Sequence, residues 1–241
     1  MRRGILSDIH GNLEAFDAVK SDIERHSLDE VICLGDMVGY GPDPDEVVRG
    51  VRNLQCQTVL GNHETALFSE KARNRMNFQA KENSVMTQQL LSTESLAYCG
   101  NLPLSLHLQD AWFVHGYPPD SASIYLFNQS DAKLQELFAA ARASLYFVGH
   151  THDLQLITHQ QGQIRRSRLT EGRIALEKGN AYIVNVGSVG QPRDGGNRAK
   201  YVIWDDLTGE LEIRFIPYDI KKTMNKIYAR GFPAIYAERL A

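Results

Sequence analysis

Cysteine is scarce in this chain. Only Cys33, Cys56 and Cys99 occur among 241 residues, widely spaced and with no CxxC pair. A disulfide framework is excluded on that count, and the chain reads as a protein of a reducing, cytoplasmic compartment. Long apolar runs are also missing. The opening Met1-Arg2-Arg3-Gly4 does not begin a signal peptide, and no segment could span a bilayer. Nor is there a basic excess: Lys and Arg total 26 against 29 Asp and Glu, a net charge of −3. No nucleic-acid or membrane-surface patch follows from that balance, and Arg165-Arg166-Ser167-Arg168 reads as a solvated strand face. Repeats, low-complexity tracts and flexible linkers are absent. With 43% hydrophobic residues, the expectation is one domain over residues 1–241, made of two sheet-based halves.

What is present is an alternation of short β-type runs and helical patterns. Ile5-Leu6 and Val31–Leu34 read as strands, each followed by a helix, from about Leu13 and near Asp45–Leu54. Asn12 is placed to cap the first of these. Thr58–Leu60 is a third strand, and a helical stretch fills Phe78–Cys99. Leu104–Leu108 and Ala111–Val114 suggest a hairpin, Asp131–Ala143 a helix and Leu145–Val148 a buried strand. Six further strand candidates lie between Leu156 and Ile216, and the tail from Ile220 looks helical.

Five polar clusters share one placement, each directly after an apolar β-run: Ser7–Gly11, Gly35-Asp36, Gly61–Glu64, His115-Gly116 and Gly149–His152. Ligands of α/β proteins bind beyond the carboxyl ends of strands, so five such ends should converge on one site. Asp8 and His10, two apart, would point the same way in an extended segment, and His150 and His152 repeat the arrangement. Carboxylate, imidazole and amide donors without thiolate suit manganese, iron, nickel or zinc in a catalytic setting. Seven candidate metal ligands, Asp8, His10, Asp36, Asn62, His115, His150 and His152, are too many for one ion. They suit two ions bridged by Asp36. Two divalent ions, two carboxylates and one hydroxide leave a charge of about +1, which favours a phosphate anion. His63 beside Asn62 should face the substrate, where it could assist the leaving oxygen.

The series DIH, GD, GNHE, HG and GHTH, in that order, resembles the calcineurin-like metallophosphoesterases. GDMVGYGPDP (Gly35–Pro44) and NVGSVGQPRDG (Asn185–Gly195) resemble the small bacterial and archaeal branch of predicted phosphodiesterases. The resemblance implies an α/β fold, a four-layer α/β/β/α sandwich of two mixed sheets flanked by helices. It implies one metal held by Asp8, His10, Asp36 and His152, a second by Asp36, Asn62, His115 and His150, and His63 as the catalytic residue. The expected activity is hydrolysis of small phosphodiesters by a hydroxide bridging two divalent ions, manganese first, with Asn62 and Arg193 as substrate contacts. A phosphomonoesterase or nucleotide-polyphosphate hydrolase with the same centre is the alternative, then a non-enzymatic scaffold. Arg193 has a second reading, bracing its own loop through Asp194. Where the superfamily's protein Ser/Thr phosphatases have a second aspartate to pair with the catalytic histidine, this chain has Gly39.

Overall fold

The computed structural model describes residues 1–140 and 142–241. The first half runs β1 (Arg2–Leu6), α1 (Leu13–Ile23), β2 (Glu30–Cys33), α2 (Pro44–Asn53), β3 (Gln57–Thr58), then four helices. These are α3 (Asn62–Phe68), α4 (Glu70–Arg73), α5 (Phe78–Leu90) and α6 (Thr93–Gly100). Next come β4 (Ser105–Leu108), β5 (Ala111–Val114), α7 (Asp131–Ala139), β6 (Leu145–Val148), β7 (Leu154–Gln160), β8 (Gln163–Arg168) and β9 (Gly172–Ala175). The chain ends with β10 (Ala181–Val186), β11 (Ala199–Asp205), β12 (Glu210–Ile216), α8 (Ile220–Ala229) and α9 (Ala234–Glu238).

Two mixed six-stranded sheets, β3-β2-β1-β11-β12-β9 and β4-β5-β6-β10-β7-β8, are flanked by helices. Strand alternation assigns the layers. Ile5 and Ile32 point between the sheets, where they meet Phe113, Phe147 and Val184. Leu6 and Cys33 point the other way, into a core with Phe16 and Val19 of α1 and Val47 and Val51 of α2. Tyr146, Val148 and Ile183 leave the second sheet outward onto Leu134 and Phe138 of α7. Three apolar interfaces therefore separate four layers, the α/β/β/α order expected.

Some expectations need correction. The sheets are not sequence halves: β1 pairs antiparallel with β11, bringing Ile5 opposite Val202, so the chain returns to its first sheet after building the second. The single helix expected over Phe78–Cys99 is two helices, because the Ser92 side chain accepts from the Ser95 amide and starts a new one. The helix expected over Asp131–Ala143 ends at Ala139, and the part of that expectation at 141 lies outside the described residues. No helix among the described residues is long and apolar enough to cross a membrane.

Candidate metal centre

The strands that pair in parallel are β1, β2 and β3 in one sheet and β5, β6 and β10 in the other. Their carboxyl ends carry the five polar clusters and the 187–198 loop, all at one edge of the sandwich. The loops after β1 and β2 are tied together by amides of Asp8, His10 and Gly11 donating to carbonyls of Gly35, Asp36 and Met37. Glu64, fully buried in the first turn of α3, accepts from the amides of Asp36 (2.8 Å), Gly61 (3.0 Å) and Val38 (3.2 Å). One carboxylate thus joins the β2 loop to the start of α3. The GNHE cluster forms the N-cap and first turn of that helix.

Asp8, His10, Asp36, His150 and His152 all adopt left-handed backbone, with φ between 51° and 66°. Such residues cost of order 1–3 kcal/mol each and persist only where their surroundings hold them. This replaces the expectation that Asp8 and His10 share a direction because they alternate along an extended segment. Two left-handed residues flank the buried Ile9 instead, and His150 and His152 flank Thr151 in the same way.

The histidines are oriented from behind. The Nδ1 atoms of His10, His115 and His152 lie against the carbonyls of Val38 (3.0 Å), Leu34 (2.7 Å) and Gln191. An Nδ1–H donating to carbonyl leaves each Nε2 as a bare lone pair facing the centre. There, His152 Nε2 lies 3.2 Å and His10 Nε2 3.6 Å from Asp8 Oδ1. Asp36 Oδ2 lies 3.7 Å from His10 Nε2 and 3.2 Å from His115 Nε2. Asp36 therefore stands between the two histidine groups, its other oxygen accepting from the His63 amide at 2.9 Å. Asn62 Oδ1 is 3.1 Å from His115 Nε2.

This donor set fits cations. His10 and His152 face each other Nε2 to Nε2 at 3.1 Å, and Asp8 Oδ1 is buried without a hydrogen-bond partner. Lone pairs and an unpaired carboxylate oxygen pointed at one another are held together only by positive charge between them. Asp8, His10 and His152 can converge on one ion, and Asp36, His115 and His150 on another. Burial alone would raise the Asp8 carboxyl, yet the His152 and His10 rings beside it hold it well below the carboxylate range. Against burial, Asp36 lifts His115 to about 9: the space between them demands a proton or a metal ion.

His63 is buried, and burial pulls its imidazole down to about 3. Its ring lies 4.8 Å from His10 and 4.6 Å from Tyr40, within reach of a ligand position shared with His10 and Asp36. A Cβ at Gly39 would fall 2.2 Å from His63 Nδ1. The ring therefore fills the place of the missing aspartate side chain. Arg193 donates to Gln191 Oε1 at 2.9 Å and sits over the Tyr40 ring. Asp194 pairs with the buried Lys200, so Arg193 does not brace the loop through Asp194. Asn12 caps α1 through the Ala15 amide, and Asn185 and Ser188 hold loop backbone at Gly149 and Asp8.

A sequence profile of the calcineurin-like phosphoesterase superfamily domain matches residues 1–208. The chain belongs to the calcineurin-like phosphoesterase superfamily. Within the superfamily it is 36% identical to an uncharacterized protein of Methanocaldococcus jannaschii, over 98% of this chain and 96% of that one. The crystal structure of a metallophosphoesterase from Sphaerobacter thermophilus superposes with a TM-score of 0.87 at 33% identity, covering 100% of this chain and 98% of the other. A zinc-dependent endopolyphosphatase of Saccharomyces cerevisiae is 33% identical over 95 residues, 37% of this chain and 29% of the yeast protein. The superfamily is metal-dependent, and its bacterial and archaeal members share this fold. Sequence reading passed over two residues of the site, Glu64 and Tyr40. Glu64 was visible as the last letter of GNHE, whereas nothing local distinguished Tyr40 from a loop aromatic.

Proposed function

We propose that this phosphoesterase hydrolyses small phosphodiesters at a dinuclear centre, residues 1–241 forming one domain around one site. Asp8, His10, Asp36 and His152 would hold one divalent ion, and Asp36, Asn62, His115 and His150 the other. The carrying observation is the pair of histidine groups whose bare Nε2 atoms converge on either side of the buried Asp36 carboxylate. Manganese is the first choice, with iron, nickel or zinc compatible with the same nitrogen and oxygen donors. Bound there, two ions supply Lewis-acid charge to the phosphate and lower the pKa of water that attacks it.

The protein side chains do the rest. Backbone hydrogen bonds to Nδ1 fix three imidazoles so that no reorganisation is needed when phosphate arrives. Arg193, unencumbered by Asp194, donates to a phosphate oxygen, and Asn62 lines the same floor. His63, a neutral ring, hydrogen-bonds the leaving oxygen as charge builds on it. Gly39 leaves His63 without the carboxylate partner of the protein phosphatases, which weighs against a phosphoprotein substrate.

Turnover of bis(p-nitrophenyl) phosphate and p-nitrophenyl phosphate by manganese-loaded protein tests this. The diester should be preferred, and Asp36→Asn and His63→Ala should each lower its hydrolysis. A strong monoester preference would overturn the diester assignment, and two fully active variants would overturn the mechanism. The partial likeness to the yeast endopolyphosphatase supports a second reading, polyphosphate hydrolysis, which faster cleavage of tripolyphosphate than of either ester would establish.

A further inference from the structure

Above the metal centre lies a cavity of about 720 Å³, far more than a phosphate group needs and within the range of sites that enclose drug-sized organic ligands. Its floor is the centre itself. Its walls are of another character. Leu60, Met76, Ala80 and Leu104 give aliphatic surface, and Tyr40 and Tyr125 give aromatic surface. Tyr125 is held rigidly, stacked 3.9 Å from the His150 ring at 17° and 4.9 Å from Phe127 at 28°.

Charge is nearly absent from these walls. Besides Asp36 and Arg193 at the floor, the lining holds one cation, Arg75, and one anion, Asp120, whose charges cancel. A polyphosphate carries about one negative charge per phosphate and would want a row of cations along its path. Uncharged organic matter would instead remove apolar wall from water.

The rim is independent support. Nine large hydrophobic side chains are exposed among the described residues. Leu104 is itself cavity lining, Phe78 lies between the lining residues Asn77 and Ala80, and Ile124 lies between Ser123 and Tyr125. Phe127 stacks on Tyr125. Leu104 and Phe127 thus put exposed apolar surface at the cavity, with Phe78 and Ile124 adjoining its lining residues in sequence, and apolar surface gathered at a cleft marks a binding site rather than scattered exposure. Asn77, Ser121 and Ser123 interrupt the apolar lining. They would meet the polar edge of a heteroaromatic ring but would go unpaired against an alkyl chain.

We infer that this cavity is a subsite for a flat, uncharged aromatic or heteroaromatic ester group of nucleobase size, with Leu104, Met76 and Tyr125 as the residues that select it. The inference rests on the phosphodiesterase reading for its floor and makes its own prediction for the walls.

Calorimetric binding to manganese-loaded protein isolates the wall contribution. Adenosine 5′-phosphate and ribose 5-phosphate present the same phosphate and differ by the base. The nucleotide should bind at least about tenfold more tightly (about 1.4 kcal/mol). Leu104→Ser and, separately, Met76→Ser should remove most of that factor and leave ribose 5-phosphate binding unchanged. Neither residue belongs to the metal centre, and thermal melts of both variants check folding. Equal binding of the two ligands by the wild type overturns the subsite, as does equal weakening of both ligands by both variants. Hexyl phosphate binding as tightly as the nucleotide overturns its aromatic character. Phosphate release is followed in the same samples. Release from the nucleotide, or failure to cleave the diester, contradicts the proposed function while the base-dependent factor remains readable.

Discussion

Gly39→Ala separates the space that His63 needs from the backbone conformation that glycine permits. Gly39 has a φ of 88°, and a Cβ built there meets His63 Nδ1 at 2.2 Å and Cε1 at 2.9 Å. To reach an ordinary 3.4 Å contact, the imidazole must retreat by about 1.2 Å. It has nowhere easy to go, since Tyr40 and His10 pack against it. Gly231 is the control, with a φ of 71° and nothing within 4 Å of its Cβ position. Both alanine variants should lose about 1–2 kcal/mol for forcing an L-residue into left-handed backbone. Gly39→Ala should lose a further ~1–3 kcal/mol from overpacking. Function should part the two more sharply. A misplacement of about 1 Å in a reacting group costs on the order of 10²-fold, so kcat/KM for bis(p-nitrophenyl) phosphate should fall about 100-fold in Gly39→Ala and little in Gly231→Ala. Denaturant melts and steady-state kinetics on manganese-loaded samples measure both. If Gly39→Ala keeps kcat/KM within about threefold of Gly231→Ala, His63 does not work from the position described.

Other perturbations follow from the same contacts. Glu64→Gln puts amide hydrogens opposite amides that need an acceptor, so it should cost about 2–4 kcal/mol and loosen the β2 loop, seen as lower manganese affinity by calorimetry. Asp194→Asn strands the buried Lys200 charge and should cost about 3–5 kcal/mol in urea melts. Adding Lys200→Met should recover most of the loss. Burial would raise the Asp22 carboxyl, but hydrogen bonds from Arg214 and Tyr201 hold it below its ordinary value. A depressed carboxylate contributes stability above its unfolded pKa of about 3.9 and loses it as pH falls through the folded value. Asp22→Asn should therefore be about 1–3 kcal/mol less stable at pH 7, with the gap closing below about pH 4; a gap constant with pH contradicts the pairing. Chelation should abolish hydrolysis and lower the melting temperature, both restored by manganese, because Asp8 and Asp36 then face bare histidine lone pairs without a cation.

The reach of sequence reading depended on how locally each feature is encoded. Metal-ligand types sit in short motifs after apolar runs, so the polar clusters and their strand-end placement could be read directly, and parallel pairing of β1 with β2 and β5 with β6 brings them to one edge. The break at Leu91 was harder. Leu90 and Leu91 continue a helical pattern, and only the Ser92 cap ends it. Pairing of β1 with β11 rests on packing between chain ends and leaves no mark in either segment.

Direction was less legible than identity. Asp8 and His10 are brought into one donor group by a spacing of two, whereas His150 and His152 fall in different groups, and all four side chains are aimed by left-handed backbone rather than strand alternation. What holds that backbone comes from elsewhere in the chain. Ser188 Oγ donates to the Asp8 carbonyl, Asn185 Nδ2 to the Gly149 carbonyl, and the Gln191 carbonyl receives His152 Nδ1. All three belong to β10 and the loop after it, the NVGSVGQPRDG segment. That segment reads as a glycine-rich turn with one candidate arginine, yet its larger contribution is to hold the backbone at Asp8 and Gly149 and the ring of His152. Motifs can therefore name the donors of such a centre, while the strain that aims them is carried by residues of ordinary type whose partners are known only once the sheets have formed.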